Sequence, residues 1–251
     1  MNIVIFDTET TSLEKPFCYN IGYVILNTET GEIIKQKDFV CEQVWHNPML
    51  FTTAYYANKR PIYIDSMRKH LTTMNKFGYI CQEMIRDFKA YEIELAFAYN
   101  SAFDEKVFNF NCDWFKCNNP FDTITICDIR GYAHQFIIND NYKQFCETNE
   151  LFTDSGNYST TAETMYQYIT NNVAFKEEHT ALSDSIIETE ILKECLRNGA
   201  ELGGNYQALK SIPRKISKTF TVKNGTTKEI LYETECFDIM WKKSSNTIIV
   251  K

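Results

Sequence analysis

Ile3-Val4-Ile5-Phe6-Asp7-Thr8-Glu9 constrains this chain more than any other stretch, because a β-branched and aromatic run ends on two carboxylates one residue apart. Such a run reads as a strand buried on both faces. In an extended chain, residues i and i+2 share a side, so Asp7 and Glu9 face one point where the strand leaves the core. Two neighbouring carboxylates raise each other's pKa unless a cation lies between them, and a hard divalent ion such as Mg²⁺ or Mn²⁺ accepts that arrangement. The alternative is a strand followed by a solvated acidic turn.

The chain continues with predicted strands at 19–26 and 32–40, joined by a turn at Thr28-Glu29-Thr30-Gly31. Strand, short turn and strand imply antiparallel pairing, so the sheet opens as a meander. Region 41–78 is weakly patterned and reads as a helical insertion, with helices over 51–58 and 63–74 and Pro48 and Pro61 near their starts. Ile80, Met84, Ile85 and Phe88 have helical spacing within 79–91, and the strand at 94–99 follows as a parallel crossover would require. A helix is expected from about residue 104 to Trp114, then a short strand running into a helix within 121–130. Residues 139–160 read as polar loop, 161–169 as a capped helix, and 182–197 as a strong helix stopped by Asn198-Gly199.

After Gly203-Gly204 the pattern turns to alternation at 220–222, 230–232, 239–241 and 248–250, with a hairpin signal at Asn224-Gly225. The expected class is α/β: a mixed five-stranded sheet, three antiparallel strands and then parallel ones, with helices on both faces. Residues 1–204 form the main domain, with the insertion near 41–78. Residues 205–251 form a small β appendage packed on it.

Two further places collect chemistry. Asn100-x-x-x-Asp104 sits between a predicted strand and a helix, where Asp104 also serves as an ordinary first-turn acid. His179-Thr180-Ala181-Leu182-Ser183-Asp184 opens the strong helix, where Asp184 has the same ordinary explanation and His179 that of a loop histidine.

In this order and context the three motifs resemble the DEDDh 3′–5′ exonucleases, a family with a ribonuclease H-like fold. It includes the proofreading subunit of bacterial replicative polymerase, ribonuclease T and oligoribonuclease. The resemblance covers about residues 1–200. Ile21-Gly22 fits the family's second strand and Asp122-Thr123 its Asp-Thr-Leu segment, whereas the family's Thr-Thr-Gly is here Thr10-Thr11-Ser12. The resemblance implies hydrolysis of terminal phosphodiesters, with single-stranded DNA favoured over RNA and nucleoside 5′-monophosphates as products. It assigns Asp7, Glu9, Asp104 and Asp184 to two ions, Mg²⁺ or Mn²⁺, which such sites hold roughly 3.5–4 Å apart. It makes His179 the general base, a role suited to a side chain whose unperturbed pKa is near ~6.5.

By the same resemblance Thr10, Thr11 and Leu13 contact the terminal nucleotide. Phe103 either stacks on a base or fills the core, and Asn100 either bonds substrate or closes its own turn. A polymerase or other replication partner is implied as well. The rival readings are an exoribonuclease and a non-catalytic nucleic-acid-binding or polymerase-accessory module.

Charge limits the mode of binding. Asp and Glu total 33 against 26 Lys and Arg, a net of −7, which argues against a wide basic face holding nucleic acid. Arg214, Lys215 and Lys218 are the one compact basic cluster, either a solvated linker or a guide for a strand. Nine scattered cysteines without a C-x2-C pair read as free thiols of a reducing cytosol, and Cys112 and Cys117 find no second pair in the sequence to complete a zinc site. With no signal peptide and no membrane-length apolar run, the expected location is cytoplasmic, away from any membrane. Scarce Gly, Lys in excess of Arg and abundant Asn are the bias of an AT-rich genome, such as that of a virus of bacteria.

Overall fold

A computed structural model describes residues 1–52, 54–221 and 227–233, with side chains to residue 215. Strands β1 (Asn2–Thr10), β2 (Cys18–Asn27) and β3 (Glu32–Cys41) form the expected antiparallel meander. Helices α1 (Glu42–Trp45), α2 (Pro48–Phe51) and α3 (Arg60–Arg68) follow, the last entered through a 3₁₀ turn at Ala57–Lys59. Then come β4 (Thr73–Asn75), α4 (Phe77–Ala90), β5 (Leu95–Ala98), α5 (Ala102–Phe115), β6 (Thr125–Asp128) and α6 (Ile129–Phe136). Helices α7 (Asp140–Thr148), α8 (Ala162–Ile169) and α9 (Ala181–Arg197) complete this part, and β7 (Lys215–Thr221) pairs with β8 (Thr227–Glu233) in an antiparallel hairpin.

The main sheet runs β4-β3-β2-β1-β5-β6, with β5 and β6 parallel to β1. It has six strands rather than five. The added strand β4 pairs in parallel with Phe39–Cys41 and lies where a helix over 63–74 was expected. That helix ends at Arg68, and His70 takes a left-handed φ of 58° that turns the chain toward the sheet. Residues 139–160 are also less loop-like than expected. Asn139 caps α7 by accepting the Tyr142 N–H at 3.0 Å, and Tyr142 and Cys146, one turn apart, are buried.

Burial explains the layering. Val4 and Phe6 of β1 face a core built with Ile80 and Met84 of α4 and Phe108 of α5. Ile3 and Ile5 face the other way, onto Ile129 and Tyr132 of α6, Met165 of α8 and Ile191 and Leu192 of α9. β1 is therefore central, and its apolar run from Ile3 to Phe6 is buried, as a strand covered on both faces must be. β3 alternates in its outer half and is wholly buried from Asp38 to Cys41, where β4 covers its edge. The segment after α9 returns to α6, where the Leu209 N–H bonds His134 Nδ1 at 2.9 Å, and Tyr158 pairs with Ile212. Of the appendage, the strands expected at 239–241 and 248–250 and the turn at Asn224-Gly225 lie outside the described residues. The eight described cysteines are free, and among the described residues no helix is long and apolar enough to cross a membrane.

Candidate metal and catalytic site

Asp7 and Glu9 continue the odd-numbered series of β1 that faces α9. Asp7 pairs across the ladder with Gly22 of β2, and the start of α9 lies directly on Gly22. A Cβ at residue 22 would fall inside the backbone of Ala181 and Leu182, so the bare glycine lets the helix come down onto the strand. Buried Asn20 fixes the same approach. Its Oδ1 accepts the Ala181 N–H at 2.8 Å and the Tyr63 hydroxyl at 3.1 Å, while Nδ2 donates to Asp38 Oδ1 and to the Phe39 carbonyl. Ser185 Oγ donates to the Gly22 carbonyl at 3.1 Å.

This docking brings Asp184 to the two carboxylates of β1. Ligand oxygens of Asp7, Glu9 and Asp184 lie within 4.8 Å of one another. Asp104, in the first turn of α5, joins them through Thr8, whose hydroxyl donates to Asp104 Oδ1 at 2.6 Å. Asp104 is only 3% exposed. Four acidic positions, separated by up to 177 residues of sequence, thus meet at the end of β1.

A fifth carboxylate was not anticipated from the sequence. Glu188 lies one turn after Asp184 on α9, is 3% exposed, and accepts the Tyr99 N–H at 3.1 Å. A glutamate between Ile187 and Ile191 on an otherwise apolar helix face, four residues from an acidic motif residue, is the signal that could have found it.

The electrostatics follow from crowding in a buried place. Burial, with the charges of Asp104, Glu188, Asp184 and Glu9 added, pushes the Asp7 carboxyl well above the usual range, although Asp7 keeps some solvent exposure. Burial and the neighbouring Asp184 push Glu9 to about 8, against the Tyr19 hydroxyl, which donates to Glu9 Oε2 at 3.4 Å. Burial takes Asp104 and Asp184 to about 7, and raises Glu188 strongly. The donor set is all hard oxygen, and its members repel one another. Such a set fits Mg²⁺ or Mn²⁺, whose charge relieves that repulsion.

His179 stands at the rim, outside the ligand cluster. Its φ is 53°, its ring stacks on Tyr56 at 4.4 Å between centroids and 14° between planes, and Nδ1 lies 3.6 Å from Glu177 Oε2. Burial, helped by the Lys59 charge, holds the imidazole pKa below its ordinary value. Lys59 donates to the Glu178 carbonyl at 2.6 Å, and its charge also pulls Glu9 and Asp184 down. Tyr56 and Lys59 come from the insertion, which therefore forms one wall of the site. Neither was singled out in the sequence.

The remaining expected residues make contacts outside the carboxylate cluster. Leu13 is 74% exposed, and its carbonyl accepts Lys106 Nζ at 2.7 Å. Thr10 is half-buried, with Oγ1 donating to the Ser12 carbonyl, and Thr11 is buried, with its N–H on the Phe17 carbonyl. Asn100 is exposed at φ 63°. Its N–H goes to Asp128 Oδ1 at 2.8 Å and its carbonyl accepts the Phe103 N–H. Phe103 is half-buried against the core around α4 and α5. Arg214 lies over the Phe152 ring at 3.8 Å.

Comparison with solved structures gives the nuclease domain of 3′hExo, a DEDDh family member, bound to rAMP. The TM-score is 0.56 over 84% of this chain and 97% of that one, at 16% identity. A 3′-exonuclease in 3′-end specific recognition of a histone mRNA stem-loop scores 0.56 at 15% identity, covering 91% of this chain and 70% of that chain. An ExoI/SSB-Ct complex scores 0.52 at 12% identity, covering 79% of this chain and 41% of that chain. No family model matches the sequence, and no curated protein matches it. The chain has the ribonuclease H-like fold of the DEDDh 3′-exonucleases.

Proposed function

We propose that this chain is a divalent-metal-dependent 3′–5′ exonuclease that hydrolyses the terminal phosphodiester of single-stranded nucleic acid, DNA in preference to RNA, and releases nucleoside 5′-monophosphates. The observation that carries the proposal is the convergence of Asp7, Glu9 and Asp184 within 4.8 Å, with Asp104 tied in through Thr8. The fold shared with 3′-exonucleases supports it.

Asp7, Glu9 and Asp184 would hold one ion, with Asp7 and Asp104 serving a second. Bound there, Mg²⁺ or Mn²⁺ supplies positive charge at the phosphate and acidifies a coordinated water. His179, with its pKa held down, is neutral at physiological pH and so free to accept a proton from the attacking water. With Nδ1 toward Glu177, Nε2 is the atom that takes it. Tyr56 holds the ring flat, an ordering that matters because proton transfer needs hydrogen-bond reach. Lys59 sets a cation beside the carboxylates, and Lys106, held on the Leu13 carbonyl, would supply a second for phosphates flanking the one that is cut.

Thr10, Thr11, Leu13, Asn100 and Phe103 remain the proposed contacts of the terminal nucleotides. The exposed Leu13 and half-buried Phe103 serve as apolar surfaces for bases. The proposal places the chemistry in residues 1–204 and treats 205–251 as an appendage that narrows the substrate entrance. Cytoplasmic action beside a replication polymerase remains part of it.

The test is a cleavage time course on 3′- and 5′-labelled single strands, DNA and RNA in parallel, with Mg²⁺, Mn²⁺ or EDTA. Metal-dependent shortening from the 3′ end supports the proposal, and the faster sugar identifies the substrate. RNA belongs in the assay because two of the similar structures hold rAMP or recognise an mRNA stem-loop. No cleavage of either strand with either ion would reduce the chain to a binding module.

A further inference from the structure

A second cluster of ligand atoms lies away from the carboxylates. Cys81 comes from α4, Cys112 from the last turn of α5, and Cys117 from just beyond that helix, and their sulfurs all lie within 4.8 Å of one another. The sequence shows the Cys112–Cys117 pair and no partner for it, because the third thiol stands 31 residues upstream on a different helix. Cys81 and Cys112 are buried, and Cys117 is half-buried.

The backbone is shaped to close this group. Lys116 ends α5 in the left-handed conformation, at φ 55°, without the glycine that usually occupies such a place. The turn brings Cys117 back over the helix end, where its N–H donates to the Cys112 carbonyl at 3.1 Å. Gly78, in the first turn of α4, faces it. A Cβ there would meet the Cys117 Cβ at 3.4 Å, an ordinary van der Waals contact, so the first turn of α4 lies directly against Cys117. Phe77 packs between the helices, 5.5 Å from the Phe115 ring and 6.0 Å from Phe108.

Zn–S bonds of about 2.3 Å place sulfurs of one tetrahedral ion about 3.8 Å apart, so three sulfurs within 4.8 Å need only a small contraction to share one. Soft thiolate donors select zinc or copper(I) over magnesium. We propose that Cys81, Cys112 and Cys117 form a binding site for one thiophilic ion of the zinc class, with solvent at the half-exposed Cys117 side supplying the fourth ligand. Three S–H bonds break and three metal–sulfur bonds form, and the three protons go to solvent, with no change of oxidation state. The ion staples α4 to the C-terminal end of α5, the helix whose first turn carries Asp104. The site is independent of the exonuclease proposal.

The test is titration of the purified, reduced full chain with Co²⁺, a spectroscopic substitute for zinc. A thiolate-to-cobalt charge-transfer band that saturates at one ion per chain is expected, and zinc should abolish it by displacement. Asp7→Asn should leave the band intact, since carboxylate oxygens give none. Cys117→Ser, at the half-exposed position, should remove most of it while circular dichroism reports a folded chain. In wild type, chelation of zinc should lower the thermal midpoint by roughly 5–10 °C. Absence of the band in wild type at saturating Co²⁺ would overturn the proposal without any variant. So would an undiminished band in folded Cys117→Ser, or a wild-type mass lower by two hydrogens after preparation without reductant and no metal uptake, the mark of a disulfide.

Discussion

Gly22 and Leu182 stand so close that a Cβ on the glycine would overlap the backbone nitrogen of Leu182. Gly22 is also the ladder partner of Asp7. One bare position on β2 therefore sets how far α9 descends toward β1, and with it the separation of Asp184 from Asp7. Replacement by alanine must lift the helix, because neither backbone can yield alone. Gly22→Ala should cost about 3 kcal/mol or more, a fall in thermal midpoint of roughly 6–12 °C. Any folded fraction should show weakened Mn²⁺ binding. A variant with wild-type midpoint and wild-type Mn²⁺ affinity would separate the site from this contact.

Stability without divalent ions should depend on pH in an unusual direction. Glu9 is raised to about 8, and Asp104 and Asp184 to about 7, each above its ordinary carboxylate value near ~4. A raised folded pKa means the folded state holds the proton more tightly than the unfolded chain. That contribution is complete below about 4 and is lost as pH rises through 7 to 8. In EDTA the thermal midpoint should fall between pH 5 and pH 8, and Mg²⁺ or Mn²⁺ should restore it most at the upper end. A midpoint that is flat in EDTA over this range would contradict the clustered, ion-free carboxylates.

Glu188 gives a sharper form of the same argument. Glu188→Gln keeps an acceptor for the Tyr99 N–H and removes one charge from the neighbourhood of Asp7. In EDTA at pH 8 the variant should melt higher than wild type by roughly 2–4 °C, about 1 kcal/mol for a domain of this size. Its further gain on adding Mn²⁺ should be smaller than that of wild type. A lower midpoint in EDTA would mean that Glu188 is held as a neutral hydrogen-bond donor and adds no repulsion.

How much of this was legible in the sequence depends on how local each signal is. The meander, the parallel crossovers and α9 were readable because strands β1 and β2 and the long helix carry continuous or periodic apolar residues. Strand β4 was not, since three residues, Thr73–Asn75, have no period and are strands only because β3 offers an edge. Helix α7 was hidden for a related reason: two buried residues in a polar span set no pattern. Within the site, Asp7, Glu9, Asp104 and Asp184 stood out through motif spacing. Glu188 belongs to none of those motifs and so did not stand out. Tyr56 and Lys59 reach the site only through the path of the insertion, which tertiary packing decides, and Cys81 reaches its partner thiols only because α4 and α5 lie side by side.

The rim aromatics should govern binding rather than chemistry at one point and chemistry at another. Tyr55 is 87% exposed and sits edge-on to Tyr56, which stacks on His179. Stacking of a base on an exposed aromatic is worth about 1–3 kcal/mol, so Tyr55→Ala should raise KM by about 5- to 150-fold with little change in kcat. His179→Ala should instead lower kcat by about 10²–10⁴-fold and leave the Mn²⁺-induced rise in thermal midpoint intact. Steady-state kinetics on a single-stranded oligonucleotide separates the two. Equal effects of both changes on kcat alone would remove the distinction.

The most direct test compares wild type with Asp7→Asn in one experiment: 3′-end trimming of labelled single-stranded DNA and RNA with Mn²⁺ present, and thermal melting of the same samples with and without Mn²⁺. The account predicts a ladder shortening from the 3′ end and a Mn²⁺-dependent rise in melting temperature for wild type, with both lost in Asp7→Asn. Trimming by Asp7→Asn at the wild-type rate would contradict the account, and so would a wild-type chain that binds Mn²⁺ yet cuts neither strand.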